Sequence, residues 1–154
     1  MLSGQLSLAW RDGHMDMRSF DGTTAGTPKA IDLHGLTAGR LPVSKLTGMF
    51  FTDGRLYYTV KGDRHLYWRW FEPQSRVIGA QRFVESGGAT GIDWSGVSGI
   101  TLASGHLYYL RGGTLYAMDF SAGAPVPGTE TPVSGAAVGD GQVWTGRGLF
   151  IRSP

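Results

Sequence analysis

Apolar and polar side chains alternate over short stretches of this chain, and tight-turn signals separate the stretches. The clearest stretches are RLYYTVK at residues 55–61 and HLYWRWF at residues 65–71. Because successive side chains of a strand point to opposite faces, each stretch predicts a strand with two distinct faces.

In the first strand, one face carries Leu56, Tyr58 and Val60, and the other carries Tyr57 and Thr59. In the second strand, one face carries Leu66, Trp68 and Trp70, and the other carries Tyr67, Arg69 and Phe71. Both faces are rich in aromatic residues, which favours strands covered on both sides.

The connections between the predicted strands are short. Asp53-Gly54 is a strong signal for a two-residue hairpin turn, and Ser104-Gly105 is a weaker one. Further strands are expected at residues 49–52, and short outer strands at KAIDL (29–33), AQRFV (80–84) and ETPVS (130–134). No window of ten or more residues has an apolar period of 3.6, so the sequence predicts little or no helix.

Three segments of the chain are internal repeats. They are LSGQLSLAWRDGHMDMRSFDG from Leu2, TDGRLYYTVKGDRHLYWRWFEP from Thr52 and ASGHLYYLRGGTLYAMDFSAG from Ala103. The equivalent glycines Gly4, Gly54 and Gly105 recur at intervals of 50 and 51 residues. A period of about 50 residues with short strands is typical of propeller blades of four strands.

The repeats predict one all-β, β-propeller-like domain over residues 1–154, with three four-stranded blades. The repeat units span about residues 2–45, 46–96 and 97–144, followed by a closing strand at 145–152. The first unit starts at the equivalent of a second strand, so Leu149–Ile151 is expected to complete the first blade. Because propellers have about four to eight blades, we expect either a homodimer with a six-bladed ring or another chain that supplies further blades.

Composition narrows the possible partners. The net charge of +2 is too small to indicate a nucleic-acid partner by itself, and none is expected. No apolar run approaches the roughly 20 residues that a membrane span needs, and the chain has no cysteine for disulfides or thiolate metal sites. The first ten residues, MLSGQLSLAW, lack the basic region and the long apolar core of a signal peptide.

A Gly-x-Leu-Tyr-Tyr pattern occurs twice, as GRLYY at residues 54–58 and GHLYY at residues 105–109. With residues 46–84, 93–110 and 19–28 and the terminal GRGLFI, this pattern resembles a propeller-like repeat region common in exported actinobacterial proteins. The resemblance implies a β-propeller fold and an extracellular setting, and it supplies no catalytic residues. The repeats are also similar to modules of phage tail proteins, for which a virion-surface location would need no signal peptide.

No arrangement of residues indicates a reaction or a metal. The histidines His14, His34, His65 and His106 lack ligand spacing, and many aspartates adjoin glycine, where they serve turns. A paired-carboxylate pattern and a Gly-x-Ser-x-Gly nucleophile motif are both absent. We therefore expect no enzymatic activity, no metal site and no cofactor.

Carbohydrate is the most plausible small ligand by analogy with propeller lectins, which stack sugar rings on tryptophan or tyrosine between blades. The candidate binding residues are Trp94, Trp144, Arg40, Arg76 and Arg147. Alternatively, the two tryptophans fill the blade junctions. The sequence thus predicts a non-enzymatic, lectin-like binding or display module. The alternatives are a structural component of a larger assembly such as a phage tail, and a glycan-active hydrolase or lyase.

Overall fold

A computed structural model describes residues 5–21, 23–35, 38–86 and 92–150 of the 154-residue chain. The described residues form thirteen strands and three short 3₁₀ turns, and they include no α-helix. The prediction of an all-β chain is therefore confirmed, and the strands curl into a half-barrel. No helix within the described ranges has the length and apolarity to cross a membrane.

The first sheet is the smallest. Its antiparallel strands are β1 (Gln5–Ala9), β2 (Met15–Ser19) and β3 (Lys29–Ala30), in that order. An isolated bridge between Phe20 and Ala25 extends β2 beyond its end. The 3₁₀ turns Ala38–Arg40 and Val43–Lys45 connect this sheet to the next one.

The second sheet is an antiparallel meander with one short additional hairpin. Its main strands are β4 (Leu46–Thr52), β5 (Arg55–Val60), β6 (Leu66–Glu72) and β8 (Phe83–Ser86). The two-residue strand β7 (Val77–Ile78) folds back on the end of β6.

The third sheet repeats the arrangement of the second. After a 3₁₀ turn at Trp94–Gly96, its main strands are β9 (Val97–Ala103), β10 (His106–Arg111), β11 (Thr114–Ser121) and β13 (Thr131–Gly135). The short strand β12 (Ala124–Pro125) pairs with the end of β11 as β7 does with β6. The expected outer strands are thus present as β3, β8 and β13, whereas the β7 and β12 hairpins were not predicted.

The two predicted hairpin turns are confirmed. Asp53 and Gly54 have φ angles of 49° and 72°, and Ser104 and Gly105 have φ angles of 49° and 77°. Two successive residues with positive φ define the type I′ turn, whose twist matches that of the flanking strands. Equivalent turns therefore fix equivalent strand registers in the second and third sheets.

The second sheet is covered on both faces, as its aromatic pattern predicts. Tyr57 and Trp68 belong to a buried cluster shared with Leu107 and Tyr109 of the third sheet. Tyr58 belongs to a different buried cluster, whose other members are Met15, Leu41, Leu56, Val60, Tyr67 and Ile78. The aromatic residues of β5 and β6 are therefore mainly packing groups between neighbouring sheets.

The first strands of the second and third sheets, β4 and β9, approach each other at main-chain distance. A Cβ atom added to Gly48 would lie only 2.8 Å from the backbone nitrogen of Ile100. A Cβ atom added to Gly99 would lie 3.1 Å from the backbone nitrogen of Leu149. Glycine is required at Gly48 because contacts shorter than 3.0 Å force the backbone to shift. Residues 148–149 thus lie beside β9, and β9 lies beside β4.

The predicted completion of the first sheet involves residues at the edge of the described part of the chain. Leu149 and Phe150 do not belong to a strand, and Ile151 lies outside the described residues. The first sheet has three strands within the described ranges rather than the expected four. Completion of this sheet by Leu149–Ile151 and the proposed unit boundaries therefore stay predictions.

Candidate ligand-binding site

Trp94 and Trp144 occupy the same position in the repeat but have different environments. Trp94 is fully buried in the 3₁₀ turn before β9, with its ring 5.2 Å from that of Tyr109. Trp144 is half-buried, and its indole nitrogen donates a hydrogen bond to Ser134 Oγ at 2.8 Å. The burial of Trp94 leaves no ring surface for a ligand and favours the alternative interpretation that this residue fills a junction between sheets.

The three candidate arginines are exposed and separated along the fold. Arg40 ends the first 3₁₀ turn, and Arg76 lies in the turn between β6 and β7 with a φ angle of 57°. Arg147 is the only one of the five candidates that lines the large cavity described below. The structure does not gather the five residues at this cavity, and their binding role stays a prediction.

An apolar cavity lies between the strands at the beginning of each sheet. It has a volume of about 600 Å³ and is lined by residues of β1, β4 and β9 together with residues 147–150. Leu8, Met15, Met49 and Ile100 are among its apolar lining residues. A ligand pocket normally also contains several convergent polar groups, and few charged side chains line this one.

A different cluster combines an exposed aromatic ring with opposite charges. Trp70 of β6 is 50% exposed. The Cζ atom of Arg55 lies 5.3 Å from the centre of the Trp70 ring and 4.5 Å from that of Trp68. Trp68 donates its indole hydrogen to Glu85 Oε2 at 2.7 Å. We refer to Arg55, Trp70 and Glu85 as the Trp70 site.

The Trp70 site lies at the junction of the second and third sheets. Arg55 Nη1 donates a hydrogen bond to the Tyr57 hydroxyl at 3.2 Å, and this hydroxyl donates to the Gly123 carbonyl at 2.7 Å. Gly123 belongs to the turn before β12 in the third sheet. The hydrogen bond with Tyr57 raises the pKa of Arg55, with a smaller contribution from the negative charge of Glu85. Arg55 Nε is buried and has no hydrogen-bond partner.

Sequence reasoning missed the Trp70 site because it assigned Trp70 to the covered face that also carries Leu66 and Trp68. In the structure Trp70 pairs with Arg55, the first residue of β5, beside the turn at Asp53-Gly54. A residue opposite a hairpin turn lies at the rim of its sheet, where the neighbouring sheet no longer covers it. The exposure of Trp70 could thus have been predicted from its position opposite the Asp53-Gly54 turn.

Two histidines occupy equivalent turns of the repeat. The backbone N–H of His14 donates to Asp12 Oδ1 at 3.2 Å, and that of His65 donates to Asp63 Oδ1 at 3.1 Å. Within the part of the chain that the structure describes, no group of three or more histidines, aspartates or glutamates could hold a metal ion. In both the Asp12–His14 pair and the Asp63–His65 pair, the aspartate side chain accepts a backbone hydrogen bond that stabilises a turn.

Asp63 also anchors the neighbouring strand. The Tyr67 hydroxyl donates to Asp63 Oδ2 at 2.7 Å. Burial opposes ionisation of Asp63, but the hydrogen bonds from Tyr67 and His65 lower its pKa overall. Burial, followed by the interaction with Asp63, raises the pKa of Tyr67 to about 12. The ionised carboxylate is therefore the favoured form in the folded protein.

We expect Asp63→Asn to lower the free energy of unfolding at pH 7 by about 1 kcal/mol, the usual scale for a lost hydrogen bond. Because the folded-state pKa of Asp63 is depressed, its contribution is present above the unfolded pKa near 3.8 and is lost as the pH falls through the folded value. Urea denaturation at pH 7 and at pH 3 measures this difference. An equal effect of the substitution at both pH values would contradict the role of the charge.

No protein-family model matches the chain, and a search of curated proteins gives no significant match. Function must therefore be inferred from the sheets and from the side chains at their rims. Among the clusters described above, the Trp70 site combines an exposed ring with charged hydrogen-bonding groups.

Proposed function

We propose that the three sheets are successive blades of a β-propeller. Three features support this arrangement: the second and third sheets have the same strand order, their first strands lie side by side, and the middle sheet is covered by both neighbours. In a propeller, each blade is sandwiched in this way around a central axis. The first strands β4 and β9 would then lie nearest that axis.

The function that this arrangement supports best is non-enzymatic binding of carbohydrate at the Trp70 site. The observation that carries the proposal is the Trp70 indole, which is 50% exposed and has the Arg55 guanidinium 5.3 Å from its ring centre. The Glu85 carboxylate is bound to Trp68, whose ring lies 5.2 Å from that of Trp70. An indole offers a flat apolar surface to the C–H face of a sugar ring. Arginine donates and glutamate accepts the hydrogen bonds that sugar hydroxyls require.

Trp10 provides an internal comparison. It is 41% exposed and also lies beside an arginine and a carboxylate, with Arg18 Cζ 5.8 Å from its ring and Asp16 Oδ2 2.8 Å from its indole nitrogen. However, the His14 ring stacks on Trp10 at 5.6 Å with an interplanar angle of 13°. Both His14 and Arg18 lie over the Trp10 ring, and Trp10 is less exposed than Trp70, so Trp70 is the better platform.

The binding proposal predicts that Trp70→Ala weakens the affinity for a bound glycan by about tenfold or more, since a ring contact contributes about 1.4 kcal/mol. A glycan array with the full chain would identify the sugar, and calorimetric titration would give the dissociation constants. Trp10→Ala is the matched control and should retain the parent affinity. Equal affinities of the parent and Trp70→Ala, or no binding of any glycan at millimolar concentration, would contradict the proposal.

A structural role in a larger assembly such as a phage tail is the second proposal. It is favoured by the β1 edge and the apolar cavity beside it, which suit association with another polypeptide. A chain that assembles but binds no glycan would support this role. An extracellular or virion-surface location fits both proposals.

A glycan-active hydrolase or lyase is the weaker alternative. Burial raises the pKa of Glu130, as catalysis by a general acid would require. However, Glu130 Oε1 already binds the Tyr109 hydroxyl and lies 2.8 Å from Arg111 Nη2. These contacts hold the carboxylate within the third sheet, so the chain is proposed to act without catalysis.

A further inference from the structure

Three equivalent glycines show how the chain continues beyond the third sheet. Gly48, Gly99 and Gly148 are the third residues of LTGMFF, VSGITL and GRGLFI. A Cβ atom at Gly48 would contact Gly99 and Ile100, and a Cβ atom at Gly99 would contact Gly148 and Leu149. The offset is the same in both cases. Residues 148–149 therefore lie where the first strand of a fourth sheet would lie.

The first sheet has the complementary arrangement. Its strand β1 pairs with β2 and, among the described strands, with no other. The equivalent strands β5 and β10 each pair on both sides. The cavity of about 600 Å³ is lined by Ser7, Leu8 and Ala9 of β1, by residues of β4 and β9, and by residues 147–150 of the same chain. An apolar space thus lies beside β1, where a first strand is expected.

Within the described residues, the chain's own terminal segment approaches the first sheet without pairing to it. Phe150 contacts Phe20 of the first sheet edge to face, with ring centres 5.4 Å apart, but no described residue of this segment pairs with β1. Two copies would give six sheets, which lies within the usual range of about four to eight blades. In a symmetric pair each copy supplies one strand and receives one.

We propose that residues 146–150 of a second copy of this chain add to β1 and complete the first sheet. The proposal rests on the propeller arrangement proposed above. It explains the equal offsets of the three glycines, and it gives the apolar space beside β1 an occupant that carries the same sequence pattern as β4 and β9. Assembly then leaves β1 without an unpaired edge.

The repeats fix the register of this pairing. Met49 of β4 pairs with Tyr58 of β5, and Ile100 of β9 pairs with Tyr109 of β10. The equivalent residues in the proposed pair are Leu149 and Leu8. Counted from the two-residue turns, these positions are non-hydrogen-bonded pairs, whose Cα atoms lie about 4.5 Å apart. That separation falls within the range that a disulfide can bridge.

An engineered disulfide tests the pairing, since the chain contains no cysteine. We expect Leu8→Cys/Leu149→Cys to give a covalent dimer on a non-reducing gel after mild oxidation. The register control Ser7→Cys/Leu149→Cys should cross-link at least tenfold less. A disulfide within a single chain would overturn pairing between copies while leaving the propeller arrangement intact. The absence of any disulfide would overturn the pairing itself.

Gly148 provides a second test that does not depend on oxidation. A Cβ atom at Gly148 would meet nothing within 4 Å in its own chain. In the proposed ring it would meet β4 of the second copy, as Gly48 meets Ile100. We expect the parent to have the mass of two copies by light scattering and Gly148→Val to have the mass of one copy, with an unchanged far-ultraviolet circular dichroism spectrum. A single-copy parent, or a variant that remains paired, would overturn the proposal.

Discussion

Trp94→Ala is expected to lower the free energy of unfolding by about 3–5 kcal/mol, the range for removal of a large buried aromatic side chain. Trp94 has no exposed surface, and it belongs to the cluster that joins the second and third sheets. Its neighbours there include Tyr109, whose ring centre is 5.2 Å away. Both sheets would have to move to refill the space. Urea denaturation followed by tryptophan fluorescence and circular dichroism measures the loss.

Trp144→Ala is the matched control because Trp144 has the same repeat position but is only half-buried. Trp144→Ala should lower the free energy of unfolding by about 1–2 kcal/mol. The substitution removes one hydrogen bond to Ser134 and the contacts of a partly buried ring. If Trp94→Ala kept the parent stability but lost glycan binding, the packing role of Trp94 would be wrong and the ligand role would be correct. The two variants therefore separate the two interpretations.

Much of the fold could be predicted because the relevant signals are local. The Asp53-Gly54 turn fixes the pairing of β4 with β5, and alternation then assigns Tyr57 and Tyr58 to opposite faces. Each face has its own buried cluster in the structure. The sequence also indicated that both faces are covered, because an open sheet would expose its aromatic rings to water.

The short hairpins β7 and β12 were less predictable. Each strand has only two residues, which is too short for alternation to be detected. The turn before β7 uses Arg76 at a φ angle of 57°, where glycine or asparagine would be the usual signal. The turn before β12 uses Ala122 at 54° and Gly123 at 83°. The contacts of β7 and β12 with longer strands, rather than local preference, stabilise these conformations.

Residues at equivalent positions of the repeat are not equally exposed to solvent. Trp94 and Trp144 were paired because they share a repeat position, yet one is fully buried and the other half-buried. Exposure depends on which sheet covers a residue, and this is a property of the assembled sheets. Trp70 differs from Trp68 for the same reason, because only Trp70 extends beyond the neighbouring sheet.

Gly48→Ala is expected to lower the free energy of unfolding by about 2 kcal/mol, within the range for overpacking a close contact. The added Cβ atom would lie 2.6 Å from Ile100 Cγ2 and 2.8 Å from the Ile100 backbone nitrogen. The side chain can turn away, but the backbone nitrogen belongs to β9 and moves only with that strand. Separation of β4 from β9 would remove the main-chain contact between the second and third sheets.

The matched control for this substitution is Gly96→Ala. A Cβ atom at Gly96 would make only an ordinary contact of 3.8 Å with Arg111 Cγ, and the φ angle of Gly96 lies outside the left-handed region. We expect its free energy of unfolding to stay within about 0.5 kcal/mol of the parent value. Thermal and urea denaturation of both variants measure the difference. Equal stabilities of Gly48→Ala and Gly96→Ala would mean that β4 and β9 are not held at main-chain contact, and the inferred order of the first strands around the cavity would be wrong.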